Sequence, residues 1–120
     1  MDLNEIRAKR RRNEEAQDDL FVSRKKFDYH TDETRQAYVQ NKLLKEDVLE
    51  YFYGEPEQYL FEDGLEENRR NESFFLESSE EITEYLSKEK IRLTEENEAL
   101  HEQELNEFRE EDAHGKNGVK

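Results

Sequence analysis

Tyr51-Phe52-Tyr53-Gly54-Glu55-Pro56-Glu57, followed seven residues later by Gly64, holds the only Pro and two of the four Gly of a 120-residue chain. Gly releases φ, and Pro cannot continue an interior helix but suits a first helical turn. This near-central stretch is therefore where one long helix stops and another starts. The reading that follows is an all-α chain: an elongated, coiled-coil-like antiparallel two-helix hairpin with its turn near 53–64.

Outward from the turn, the first arm runs over 3–53 without Gly or Pro and is rich in residues that lose little on entering a helix. Leu20, Phe27, Tyr38, Val48 and Phe52 recur at seam spacing if the polar Arg24, Thr31, Thr34, Asn41 and Lys45 fill the intervening sites. Tyr29-His30-Thr31-Asp32-Glu33 has the pattern of an N-cap followed by acids, so a kink or split near 30 stands as the alternative to one continuous helix. The second arm is expected over 56–112, with a short helical turn over 56–63 ending at Gly64. Ile82, Leu86, Leu93 and Leu100 form its stripe, the three leucines seven apart. Residues 113–120, with two Gly and no pattern, are expected to be a disordered tail. At this length the chain has room for one domain, a single hairpin over 1–112.

In an antiparallel hairpin the numbers of facing residues have a constant sum. At about 113 this pairs Phe52 with Phe61, Val48 with Leu65, Tyr38 with Phe75, Phe27 with Leu86 and Leu20 with Leu93. The same folding brings the basic run Arg7 to Arg12 beside Glu102 and Glu104. That run alone could be a nucleic-acid or membrane-surface patch, but its acidic neighbours make it an internally paired face whose use is to fix register. Arms of about 50 residues give a hairpin of roughly 75 Å at 1.5 Å per residue.

Charge narrows the function classes. The net charge of −14 is uneven, about −1 over 1–53 and about −13 over 54–120. An acid excess of this size argues against nucleic acid as the partner. No apolar run approaches the roughly 20 residues that span a bilayer, so no membrane insertion is expected. The N-terminus lacks an apolar signal core, which points to a protein made in the cytoplasm and leaving it, if at all, without a cleaved signal peptide. There is no Cys. His30, His101 and His114 are far apart, Ser78-Ser79 has no Gly elbow, and no Gly-rich phosphate loop occurs. Neither metal, cofactor nor enzyme activity is expected.

A charged fraction of 43% against 32% hydrophobic suits a narrow seam and leaves other apolar residues uncovered. Leu43, Leu44, Leu49, Tyr51, Phe74 and Leu76 gather toward the turn and are the candidate partner-binding residues.

The aromatic-x-Gly turn (Phe52-Tyr53-Gly54) and the aromatic-x-x-x-acid near the end of the second arm (Phe108-Arg109-Glu110-Glu111-Asp112), on a Cys-free acidic hairpin, resemble the small helical-hairpin proteins of Gram-positive type VII secretion. The chain looks most like the LXG-toxin-associated targeting factors, over roughly 1–112. The resemblance implies a chaperone-like role: binding the helical N-terminal domain of a toxin, alongside a second small helical protein, with Phe108 and Asp112 as part of an export signal. Related WXG proteins carry Trp at the turn, and this chain has none. The spacing also recurs at Tyr29/Glu33, Tyr51/Glu55, Tyr53/Glu57, Tyr59/Asp63 and Tyr85/Glu89. Phe108/Asp112 is singled out by its place at the arm's end, with Tyr85/Glu89 as the alternative. Two other readings compete: an acidic immunity or inhibitor protein, and a self-associating coiled coil that forms a homodimer.

Overall fold

The computed structural model describes residues 1–118, with side chains through Ala113. Two helices, α1 (Leu3–Tyr51) and α2 (Gln58–Gly118), make an all-α helical hairpin, with no strand among the described residues. Asp2 caps α1: its Oδ1 accepts the Glu5 N–H at 2.8 Å, and its carbonyl accepts the Ile6 N–H at 3.1 Å. The cap satisfies one orphan donor of the first turn, and the carboxylates of Asp2 and Glu5 oppose the helix dipole.

α1 is continuous through 29–33, so the expected cap there does not split it. A helix already propagating gains a hydrogen bond per residue, which outweighs a local capping pattern. Between the helices, Gly54 has φ +85°, the left-handed conformation that glycine adopts without a Cβ penalty. The Glu55 N–H bonds to the Phe52 carbonyl at 2.9 Å, and the Gly54 N–H donates to Gln58 Oε1 at 2.8 Å. Pro56 lies in this turn rather than in a first helical turn, and α2 begins at Gln58. Nor does Gly64 end a short helix, since α2 runs straight across it. One glycine costs a helix interior only about 1 kcal/mol. The same argument applies to Gly115: α2 continues to Gly118 where a disordered tail was expected from 113, and residues 119–120 lie outside those described.

The contacts group into two compact units, Met1–Arg24 with Tyr85–Lys120 (the terminal unit) and Lys25–Glu84 (the turn unit). In a two-helix pairing each turn touches only what lies level with it, so contacts stay local.

In the terminal unit the core is apolar. Ile6 is 1% exposed, and Leu3, Leu93 and Leu100 are also buried. Leu20 and Leu86 are half-buried. Asn13 is buried among them, its Nδ2 donating to the Leu93 carbonyl at 2.9 Å and to Glu96 Oε1 at 3.2 Å. Gln17 Nε2 donates to Asn13 Oδ1 at 2.6 Å. A satisfied amide at a seam position pins register, because a slip would leave it buried and unpaired. Arg7 and Arg10 both bond to Glu104, so the basic run is in part a cross-helix clamp. The Arg10 hydrogen bond, with Arg7 beside it, holds the Glu104 carboxyl below its usual range.

In the turn unit the seam is aromatic and polar. Phe52 stacks on Phe61 with ring centroids 4.6 Å apart, and Tyr38 meets Phe75 at 5.6 Å. Asn41 Nδ2 donates to Asn68 Oδ1 at 2.9 Å, and Lys45 Nζ donates to the Gly64 carbonyl at 3.4 Å. Phe27, Tyr38, Val48 and Phe75 are half-buried, as are the polar seam residues Thr31, Thr34 and Lys45. Ile82 is not a seam residue: it is exposed, and Thr83 beside it is half-buried instead. A two-helix stripe is narrow, and at 100° per residue a position on its flank lies in solvent.

Candidate partner-binding surface

Every apolar residue that is buried belongs to the terminal unit; in the turn unit the buried residues are Asn68 and Ser79. Conversely, of the eighteen exposed large apolar side chains among the described residues, eleven lie in the turn unit. The turn unit therefore leaves many of its large apolar groups in water while its half-buried seam mixes rings, Val48 and Leu65 with amides and hydroxyls. Both follow from the sequence pattern, which puts Thr31, Thr34, Asn41, Asn68 and Ser79 where a self-sufficient coiled coil has aliphatic side chains.

The six candidate residues are not one cluster. Tyr51 is 82% exposed and Phe74 72%, and Leu43 and Leu44 are each more than half exposed. Leu49 is half-buried and is withdrawn from the surface. Leu76 stands apart, because residues two positions apart on a helix point about 200° from each other, and so it faces away from Phe74. It lines an open groove of about 590 Å³ with Phe27, Asp28, Arg35 and Glu80. Further along, a groove of about 270 Å³ is lined by Lys42 and Glu46 of α1 and by Glu62, Glu66, Arg69 and Glu72 of α2. These grooves mark one strongly charged side of the unit. Glu66 is gripped there by Arg69, whose hydrogen bond holds its carboxyl below the usual range.

Phe108 is 56% exposed on α2, and Asp112, one turn on, is also exposed. Both lie in the terminal unit, away in sequence from the turn. Leu3, Ile6 and Asn13 were missed as seam residues, although the three-and-four spacing of 3, 6, 10, 13, 17 and 20 continues the stripe to the first turn. Asp2 and Glu5, spaced as a cap and its returning acid, mark the helix start.

Among the described residues no group of His, Cys, Asp or Glu is placed to hold a metal ion, and no helix is long and apolar enough to cross a membrane. What the geometry defines is an antiparallel helical hairpin whose terminal unit buries four apolar side chains, and whose turn unit buries none and exposes eleven among the described residues. In comparisons with family models, curated proteins and solved structures, nothing matches the chain.

Proposed function

We propose that this chain is a non-catalytic helical adaptor that uses its turn unit to hold a helical partner. The observation that carries the proposal is the inverted packing of that unit, with eleven large apolar side chains exposed and only Asn68 and Ser79 buried. A hairpin that buries so little apolar surface gains most of its stability by association. The partner is the helical N-terminal domain of an LXG-type toxin, with a second small helical protein completing the assembly. This choice is supported by the resemblance of the turn and arm-end motifs to type VII secretion targeting factors. In that role Phe108 and Asp112, four residues apart on one helix face, present a ring and a carboxylate together to the export machinery.

Co-expression with such a toxin domain, followed by size-exclusion chromatography with light scattering at low and high salt, tests the proposal. A complex that survives high salt is expected, because apolar contacts are not screened. A complex seen only at low salt would instead make the chain an acidic inhibitor of a basic enzyme, and a lone dimer would make it a self-associating coil. Phe108→Ala is expected to leave both fold and complex intact while abolishing export; unchanged export would remove the motif from the proposal.

A further inference from the structure

The turn unit has a second side, opposite the charged grooves. Leu44 lies two residues from both Lys42 and Glu46, Phe74 two from Glu72 and Leu76, and Leu60 two from Glu62. At about 100° per residue each points roughly 200° away from the groove-lining residues. Tyr51 follows Leu44 by seven residues and shares its line. Leu44, Tyr51, Leu60 and Phe74 are all more than half exposed. On α1 the exposed positions of this side, Ala37, Gln40, Leu44, Asp47 and Tyr51, carry the single charge of Asp47. On α2 the line from Leu60 to Phe74 is interrupted by the single charge of Glu67. In a chain that is 43% charged, this side is the exception.

Gly64 lies on the same α2 line, four residues after Leu60. It sits in a helix interior, where glycine is disfavoured, and its φ is not left-handed. A Cβ there would meet nothing within 4 Å. Nothing within the chain requires a glycine at this position, whereas the backbone of an incoming helix would.

Charge selects the occupant. The turn unit has 17 acidic against 7 basic residues, a net −10. A second copy would set two such units against each other, and like charges oppose close docking. From Leu60 to Phe74 the line runs about 21 Å, some four helical turns, with an apolar side chain at each end and Gly64, Glu67 and Asn71 between them. We infer that this side of the turn unit docks one amphipathic helix of a partner, with an apolar stripe flanked by Lys and Arg and its closest approach over Gly64. The inference rests on the proposed adaptor role and assigns to it a face and a partner chemistry.

The test uses the full chain and two probes: the helical N-terminal domain of an LXG-type toxin from the same organism, and a pair of synthetic amphipathic helices flanked either by Lys or by Glu. Binding is measured by isothermal titration calorimetry, with helicity checked by circular dichroism. The combined Leu44→Glu and Phe74→Glu variant is expected to weaken binding of the toxin domain and of the Lys-flanked peptide by at least about 30-fold. Gly64→Leu is expected to weaken both about tenfold, and Leu76→Glu on the groove side to change them less than about threefold. The Glu-flanked peptide is expected to bind at least tenfold more weakly than its Lys-flanked twin. A toxin domain that binds the wild type and the double variant equally overturns the docking face and leaves the adaptor role standing. If only the Lys-flanked peptide binds, with the same variant pattern, the toxin partner is lost and the face is kept. Absence of binding by either probe overturns both, and a homodimer dissociated by the double variant hands the face to a second copy and overturns the inference.

Discussion

Replacing Gly54 or Gly64 by Ala adds the same methyl group at two places 10 residues apart, and the two changes are expected to move stability in opposite directions. At Gly64 the backbone is helical, no atom lies within 4 Å of the new Cβ, and Ala is favoured over Gly in a helix by about 0.8–1.0 kcal/mol. Gly64→Ala should therefore stabilise the free chain by about that amount. At Gly54 there is also open space, but φ is +85°. An L-residue held left-handed costs roughly 1–2 kcal/mol, offset by about 0.4–1 kcal/mol from the reduced freedom of the unfolded chain. Gly54→Ala should destabilise by about 0.5–1 kcal/mol. The two variants then differ by roughly 1.3–2 kcal/mol, about tenfold or more in the unfolding constant. Urea unfolding followed by far-UV circular dichroism reads this as midpoints shifted in opposite directions at an unchanged slope. Gly54→Ala with no loss would refute the left-handed turn. Gly64→Ala with no gain would mean that the Lys45 contact to the Gly64 carbonyl, or another feature of the seam, depends on the missing side chain.

Three further changes separate the units. Ile6→Ala empties the most deeply buried position among the described residues and should cost the terminal unit about 2–5 kcal/mol, seen as lost amide-exchange protection over the first turns of α1. An undiminished protection pattern would refute the packing described for Ile6. Replacing Asn41 and Asn68 singly and together by Leu should give a coupling energy of about 0.5–1.5 kcal/mol in a double-mutant cycle, and additive losses would show that their hydrogen bond contributes nothing. Because Arg10 and Arg7 lower the Glu104 pKa in the folded state, their clamp stabilises above the ordinary carboxylate range and is lost as pH falls through the lowered value. Glu104→Gln should flatten the acid limb of stability below about pH 5, and an unaltered limb would dismiss the clamp as a source of pH dependence.

The sequence made the hairpin legible because its signals were local and mutually consistent. The only Pro and a Gly mark the turn, while Phe52 with Phe61 and Tyr38 with Phe75 meet across one mirror axis. The base of the hairpin was less legible, since Leu3 and Ile6 sit among charged residues and their stripe passes through Arg10 and Asn13, which look like surface until their partners on α2 are known. Ile82 misled for the opposite reason: it is apolar and at seam spacing, yet a narrow stripe gives its turn to Thr83. The candidate surface was legible in composition but not in direction. Phe74 and Leu76 are neighbours in sequence and face nearly opposite ways in space, and only the charged grooves reveal which side each occupies.

The Asn41–Asn68 bond has a consequence for how such a chain can change length. Seven residues inserted between Asn41 and Tyr51 would carry the turn outward by about 10.5 Å but throw the amide pair out of step, unless seven were also inserted between Gln58 and Asn68. The reach of the apolar end beyond this polar latch is thus adjustable only in matched heptad steps. A longer or shorter hairpin built on this plan should keep the latch and move the tip.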